Sequence, residues 1–216
     1  MVVEESTSAC SCALIGEDPA VVRLCAECHK YWRWDQRLTS VSSVLKSTWP
    51  IPPDFSAADP AVLKNARDRG IVVDRLFSAY VIGGLDRIPK GTRQDAVELF
   101  FKVRKWWDGH KHGDVRSQVI LADSEIAGTC DVMDDDAIWD LKATYNVEKT
   151  YSLQLAAYGE LHFATFGRPA KALNIVHVTE RYAEPKIIKV DLVSTLQDWI
   201  TLREMWRMVR RRTNSR

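Results

Sequence analysis

Apolar positions along the chain fall into two periods. Val115 to Ala122, Ile126 to Met133 and Ala137 to Thr144 are apolar and β-branched enough for strands, and Leu173 to Thr179 and Lys186 to Val190 read the same way. Asp134-Asp135-Asp136 is turn composition, so the second and third runs predict an antiparallel hairpin. Helical spacing joins Leu63, Val73, Leu76, Phe77 and Tyr80. Asp59 is placed to cap that helix, Pro60 suits its first turn, and Gly83-Gly84 stops it. Thr92 with Asp95 reads as a capping box opening a second helix, through Val97, Phe100, Phe101 and Val103 to Trp107. A last helix, capped by Asp191 or Ser194, carries Leu196, Trp199, Ile200, Arg203 and Trp206 near one face. Helices bracketing a short set of strands predict an α/β sandwich with a central mixed sheet.

The hairpin gathers polar chemistry. A turn centred between Asp135 and Asp136 sets Asp131 opposite Asp140, where directly opposed Cβ atoms stand about 4.5–5.5 Å apart. Lys142 falls on the same face by strand alternation. Two carboxylates at that spacing can share a hard cation such as Mg²⁺, and a neighbouring ammonium can orient a nucleophile. Gly128 permits a close backbone approach just before Asp131. The helix after the hairpin carries Gln154 and Tyr158 at i and i+4, on one face. An Asp-x-Lys triplet alone is weak, because exposed hairpins commonly carry such residues; the added glycine and the polar pair sharpen it.

Composition narrows the class. The 216 residues are 46% hydrophobic and 27% charged with a net charge of +1, ordinary globular values that exclude a uniformly basic nucleic-acid binder. No apolar run approaches the roughly 20 residues of a membrane span, and the N-terminus lacks a basic-then-apolar leader pattern. The expectation is a soluble, intracellular protein with no membrane partner. Cys10-Ser-Cys12 and Cys25-Ala-Glu-Cys28 form two close pairs, which suit four thiolates about 2.3 Å from one structural Zn²⁺, with His29 as a substitute ligand. This divides the chain into a metal-binding module at 1–37 and a main domain at 38–216. Tyr31, Trp32, Arg33 and Trp34 either seat that module or stack on nucleic acid. The His110-Lys-His112 pair reads as a solvated loop ahead of a metal site. The C-terminal arginines fit a phosphate backbone or a helix dipole equally well.

Gly128-Thr-Cys-Asp131, Trp139-Asp-Leu-Lys142 and Gln154-Leu-Ala-Ala-Tyr158, in that order, resemble the motifs of PD-(D/E)xK nucleases, in particular the RecB-type and phage recombination exonucleases. Leu38 to Trp49 is similar to the segment that opens many such domains. The resemblance implies a restriction-endonuclease-like core from about Leu38 onward. It implies Mg²⁺ or Mn²⁺ on Asp131, Asp140 and the Leu141 carbonyl, and Lys142 activating water. It also implies Gln154 and Tyr158 placing the DNA strand and bracing the lysine. The expected activity is exonucleolytic processing of linear DNA ends in recombination or repair, phage-encoded, leaving 5′-phosphate and 3′-hydroxyl ends, with a recombination partner protein. Relatives with an iron–sulfur cluster place its cysteines around the core, which favours zinc here.

The chain departs from the pattern on the first long helix. Gly70 aligns, but Asp74 stands where relatives have histidine and Ser78 where they have glutamate. Asp74 is the candidate substitute metal ligand. Gln118 occupies a position where some relatives have a glutamate reaching the site. These departures favour a rival reading, a nuclease fold without catalysis serving as a DNA or protein adaptor. The intact Asp131, Asp140 and Lys142 oppose it.

Overall fold

The computed structural model describes residues 21–25, 27–48 and 59–214; Cys10 and Cys12 of the predicted zinc module lie outside them. The chain runs β1 (Val22–Leu24), β2 (Tyr31–Arg33), β3 (Gln36–Ser40), α1 (Val41–Thr48), α2 (Pro60–Val81), α3 (Gln94–Asp108), β4 (Val115–Ala122), β5 (Ile126–Asp134), β6 (Ala137–Lys142), α4 (Lys149–Phe166), β7 (Ala172–His177), β8 (Lys186–Lys189) and α5 (Leu192–Asn214). The strands form one mixed sheet in the order β1-β2-β3-β5-β6-β7-β8, with β4 paired to β5 off that path. β3 with β5 and β6 with β7 are parallel; the other pairs are antiparallel.

Each face of the sheet buries its own core. On one side Val41 and Val44 of α1, Leu153, Leu155 and Leu161 of α4, and Trp199 and Trp206 of α5 pack on Ile126, Cys130 and Ile138. On the other, Val73 and Phe77 of α2 and Leu99, Phe100 and Trp107 of α3 pack on Val132, Leu141 and Val176. The predicted α/β sandwich is therefore present. α4 is apolar nearly all round, and it is correspondingly buried between the sheet and α5.

Most predicted boundaries fall within a residue or two. Asp59 accepts a hydrogen bond from the Ala61 N–H at 2.7 Å with Pro60 in the first turn, and Gly83, with φ 71°, follows the end of α2. Asp191 accepts from Val193 N–H and Ser194 Oγ, capping α5. The capping box at Thr92 and Asp95 is not formed. Arg93 takes the Asp95 carboxylate at 2.6 Å, and the Thr92 hydroxyl donates to the Pro89 carbonyl. A charge-assisted pair two residues away outcompetes the box. His112 is no solvated loop residue either. Its ring stacks on Trp107 at 3.7 Å between centroids and bonds Asp134 Oδ2 at 2.7 Å.

The connections of β5 position everything that follows. β4 lines one edge of β5 from Ala127 to Asp134. The other edge is taken by β3 at Ile126 and Ala127, then by β6 from Val132 to Asp134. Gly128 to Asp131 therefore face a fork where β3 and β6 part.

Candidate active site

The fork is filled by aromatic side chains instead of a strand. The Tyr158 ring lies so close to Gly128 that a Cβ there would meet its Cε1 at 2.5 Å and Val41 Cγ2 at 3.1 Å. Only glycine admits that contact. The Tyr31 hydroxyl bonds Thr129 Oγ1 at 2.9 Å, and Gln154 Nε2 donates to the Tyr158 hydroxyl at 2.7 Å. α4 thus sets its i, i+4 pair against the bare edge of β5, next to Asp131.

Asp131 sits where two strands change face together. On β4, Val115 packs into the α2/α3 core whereas Val119 and Leu121 pack into the other. On β5, Cys130 and Val132 divide in the same way, although alternation should keep each set on one side. The break falls at Gln118, φ 52°, which stands opposite Asp131 in the register. A left-handed conformation costs a non-glycine residue about 1–3 kcal/mol, and such residues cluster at functional sites. It turns Gln118 towards α2, where Nε2 donates to Ser78 Oγ at 3.0 Å; Ser78 in turn lies 3.4 Å from Asp74 Oδ1. Gln118 and Ser78, two of the three departures, thus satisfy each other.

The β5–β6 register agrees with the expected turn: Val132 pairs with Trp139 and Asp134 with Ala137. One step further, Asp131 Oδ2 accepts the Leu141 N–H at 2.8 Å in place of a backbone ladder. Lys142 Nζ lies 2.6 Å from Asp140 Oδ2, and the Asp140 residue is 1% exposed. Among the described residues that ammonium is the cation that offsets the charge of this oxygen. The Tyr151 ring centroid is 5.0 Å from Nζ.

Crowded like charges set the titration of the group. Burial, then the charges of Asp140 and Asp74, push the Asp131 carboxyl well above its ordinary range. Burial also raises Asp74; Lys142 opposes and Asp140 adds to the rise. Burial works against the Lys142 ammonium, but Asp140 and Asp131 raise it overall, so it stays protonated. Burial and the same two carboxylates push the Tyr158 phenol up, keeping it neutral. The buried Cys130 thiol is pushed to about 12, which makes it inert.

A buried carboxylate held by one ammonium, beside a second carboxylate that it repels, fits a divalent cation between Asp131 and Asp140. Asp74 acts on this pair through its charge. Among the described residues, however, no three His, Cys, Asp or Glu side chains come together closely enough to hold an ion.

Cys25 and Cys28 occupy the β1–β2 turn, and the Cys28 N–H lies 3.4 Å from Cys25 Sγ. Burial raises the Cys28 thiol, but hydrogen bonds from Cys25, Lys30 and Trp32 and the Lys30 charge leave it lowered. The three turn aspartates are also engaged: Asp134 with His112 and the Gly113 N–H, Asp135 with the Asp114 N–H, and Asp136 with Arg168. No helix of the described residues is long and apolar enough to cross a membrane.

Searches for a matching family model and for a similar curated protein found none. Among solved structures, a candidate exonuclease from Eubacterium rectale shares the fold, with a TM-score of 0.54 at 20% identity over 78% of this chain and 77% of that one. An alkaline exonuclease from Laribacter hongkongensis (TM-score 0.36, 10% identity, 82% and 94% covered) and a phage-related exonuclease from Haemophilus somnus (0.38, 14%, 78% and 93%) are looser likenesses. The first supports the α/β architecture; the other two are too distant to add to it.

Proposed function

We propose that this chain is a metal-dependent deoxyribonuclease, an exonuclease that processes linear DNA ends in recombination or repair. One observation carries the reading. Asp131, tied to the Leu141 N–H, and the buried Asp140, paired with Lys142, lie near enough at the fork for their charges to repel. Asp131 and Asp140, with Asp74 near them, are the residues to hold Mg²⁺ or Mn²⁺. Bound there, the cation acidifies water and offsets charge on a phosphate.

The remaining roles follow from protonation. Lys142 is charged, so it serves as a donor to the nucleophile or the phosphate, not as a base. Tyr158 is neutral and accepts from Gln154, which leaves its own proton for a phosphate oxygen. Gly128 lets that phenol reach the fork. A phage source and a recombination partner protein belong to the same proposal. So does a structural Zn²⁺ on Cys10, Cys12, Cys25 and Cys28, for which elemental analysis should return one zinc per chain, absent from the Cys25→Ser/Cys28→Ser variant.

The test is cleavage of end-labelled linear and closed circular DNA with added Mg²⁺ or Mn²⁺. Shortening of the linear substrate, with the circle spared, is the expected result. Tight DNA binding with no cleavage of either would replace this reading with the adaptor.

A further inference from the structure

Beside Lys142 the chain leaves a cleft of ≈ 590 Å³, bounded by the N-terminal half of α2 and the connection from β6 to α4. A volume of that size matches small-molecule sites, about 300–1,000 Å³. It admits one unstacked nucleotide and not a duplex.

Its walls combine aromatic and cationic groups. Tyr145 and Tyr151 stand on one side, Arg67 and Arg69 on the other, and Lys142 at the inner end; Glu148 is the acidic member. Tyr145 is a large aromatic residue left 63% exposed. Yet it is not loose: the Arg181 guanidinium carbon lies 3.1 Å from its ring centroid, and Thr144 Oγ1 bonds the Asn146 carbonyl across it. An aromatic ring fixed from one face and open to a cleft is a stacking platform. Arg69 pairs with Glu180 and keeps 18% of its side chain exposed where it lines the cleft, a guanidinium charge that suits a phosphate oxygen.

We infer that this cleft seats one unpaired nucleotide of the substrate strand, its base stacked on Tyr145 and its phosphate facing Arg69 and Lys142. The inference rests on the nuclease reading for the identity of the ligand. Tyr145 is then a positioning residue that selects strands with an unpaired end. Its own variants leave the carboxylate–lysine group untouched.

The experiment measures binding of a labelled oligothymidylate by the full chain in Ca²⁺, in parallel with an all-abasic oligonucleotide of equal length. Stacking on an aromatic ring is worth about 1–3 kcal/mol per base, so Tyr145→Ala should weaken oligothymidylate binding roughly 5- to 150-fold. Tyr145→Phe, which keeps the ring, should stay within about twofold. The abasic strand should bind parent and Tyr145→Ala equally. Unchanged oligothymidylate binding by Tyr145→Ala, or an equal loss for both strands, overturns the assignment. Cleavage assays on the same preparations separate it from the nuclease reading. Tyr145-dependent binding without cleavage sinks the nuclease and keeps the cleft, whereas cleavage with Tyr145-independent binding does the reverse.

Discussion

Asp131 Oδ2 holds the backbone N–H of Leu141 at 2.8 Å, so one carboxylate is tied to the residue that separates Asp140 from Lys142. The bond does structural and electrostatic work at once. It replaces the next rung of the β5–β6 ladder, and it anchors Asp131 against two neighbouring negative charges. Asp131→Asn keeps an acceptor oxygen for Leu141 and removes the repulsion. The variant should melt at or above the parental temperature without added metal, while Mg²⁺-dependent cleavage falls at least about 100-fold, an effect on the scale of losing one preorganised charged group. Calorimetry and a cleavage assay check both halves; a destabilised variant would mean the hydrogen bond needs the charge.

The same pair predicts a pH dependence. The folded Asp131 carboxyl is raised above its ordinary value, so its contribution to stability is complete below about pH 3.9 and is lost as pH rises through the folded value. In the absence of divalent cation, the stability of Asp131→Asn relative to the parent should therefore grow from pH 5 to pH 8. Mn²⁺ should stabilise the parent more at pH 8 than at pH 5, because it meets an ionised site. Melting curves at the two pH values, with and without Mn²⁺, decide this; parallel pH profiles for parent and variant would refute it.

Lys142 and Asp140 form a shielded ion pair at 2.6 Å, with side-chain exposures of 16% and 1%. Removing one partner of such a pair costs about 3–5 kcal/mol, because the other charge stays buried. Lys142→Ala should be destabilised on that scale in urea. Combining it with Asp140→Asn should recover most of the loss. Additive losses in the double variant would show that the two side chains do not depend on each other.

Gly128→Ala puts a methyl where Tyr158 Cε1 would be 2.5 Å away. Overpacking of this kind typically costs about 1–3 kcal/mol. The exchange should also lower cleavage by displacing the phenol from the fork, and a neutral result in both measurements would mean that Tyr158 adapts freely.

Much of this arrangement is legible in the sequence, and its limits have physical causes. The β5–β6 register from Val132 to Asp134 follows from an acidic turn and period-two patterning, and the Asp59–Pro60 cap from local chemistry. The fork is invisible along the chain because Thr39 and Ser40 meet Ile126 and Ala127 across more than eighty residues. Gln118 gives no warning of a positive φ, since nothing in a glutamine favours it. β1 and β2 are three-residue strands, β1 paired with β2 and β2 with β3, so their own patterning is too short to read. The Thr92–Asp95 box fails because Arg93 competes for the same carboxylate.

The claim on which the rest depends is that Asp131 and Asp140 hold one divalent cation between them. Crystals soaked in Mn²⁺ and measured at the manganese absorption edge test it directly. An anomalous peak is expected at the fork, bonded to a carboxylate oxygen of each aspartate at about 2.0–2.3 Å, and absent from Asp140→Asn. A peak elsewhere, or none at the fork in an active preparation, would contradict it.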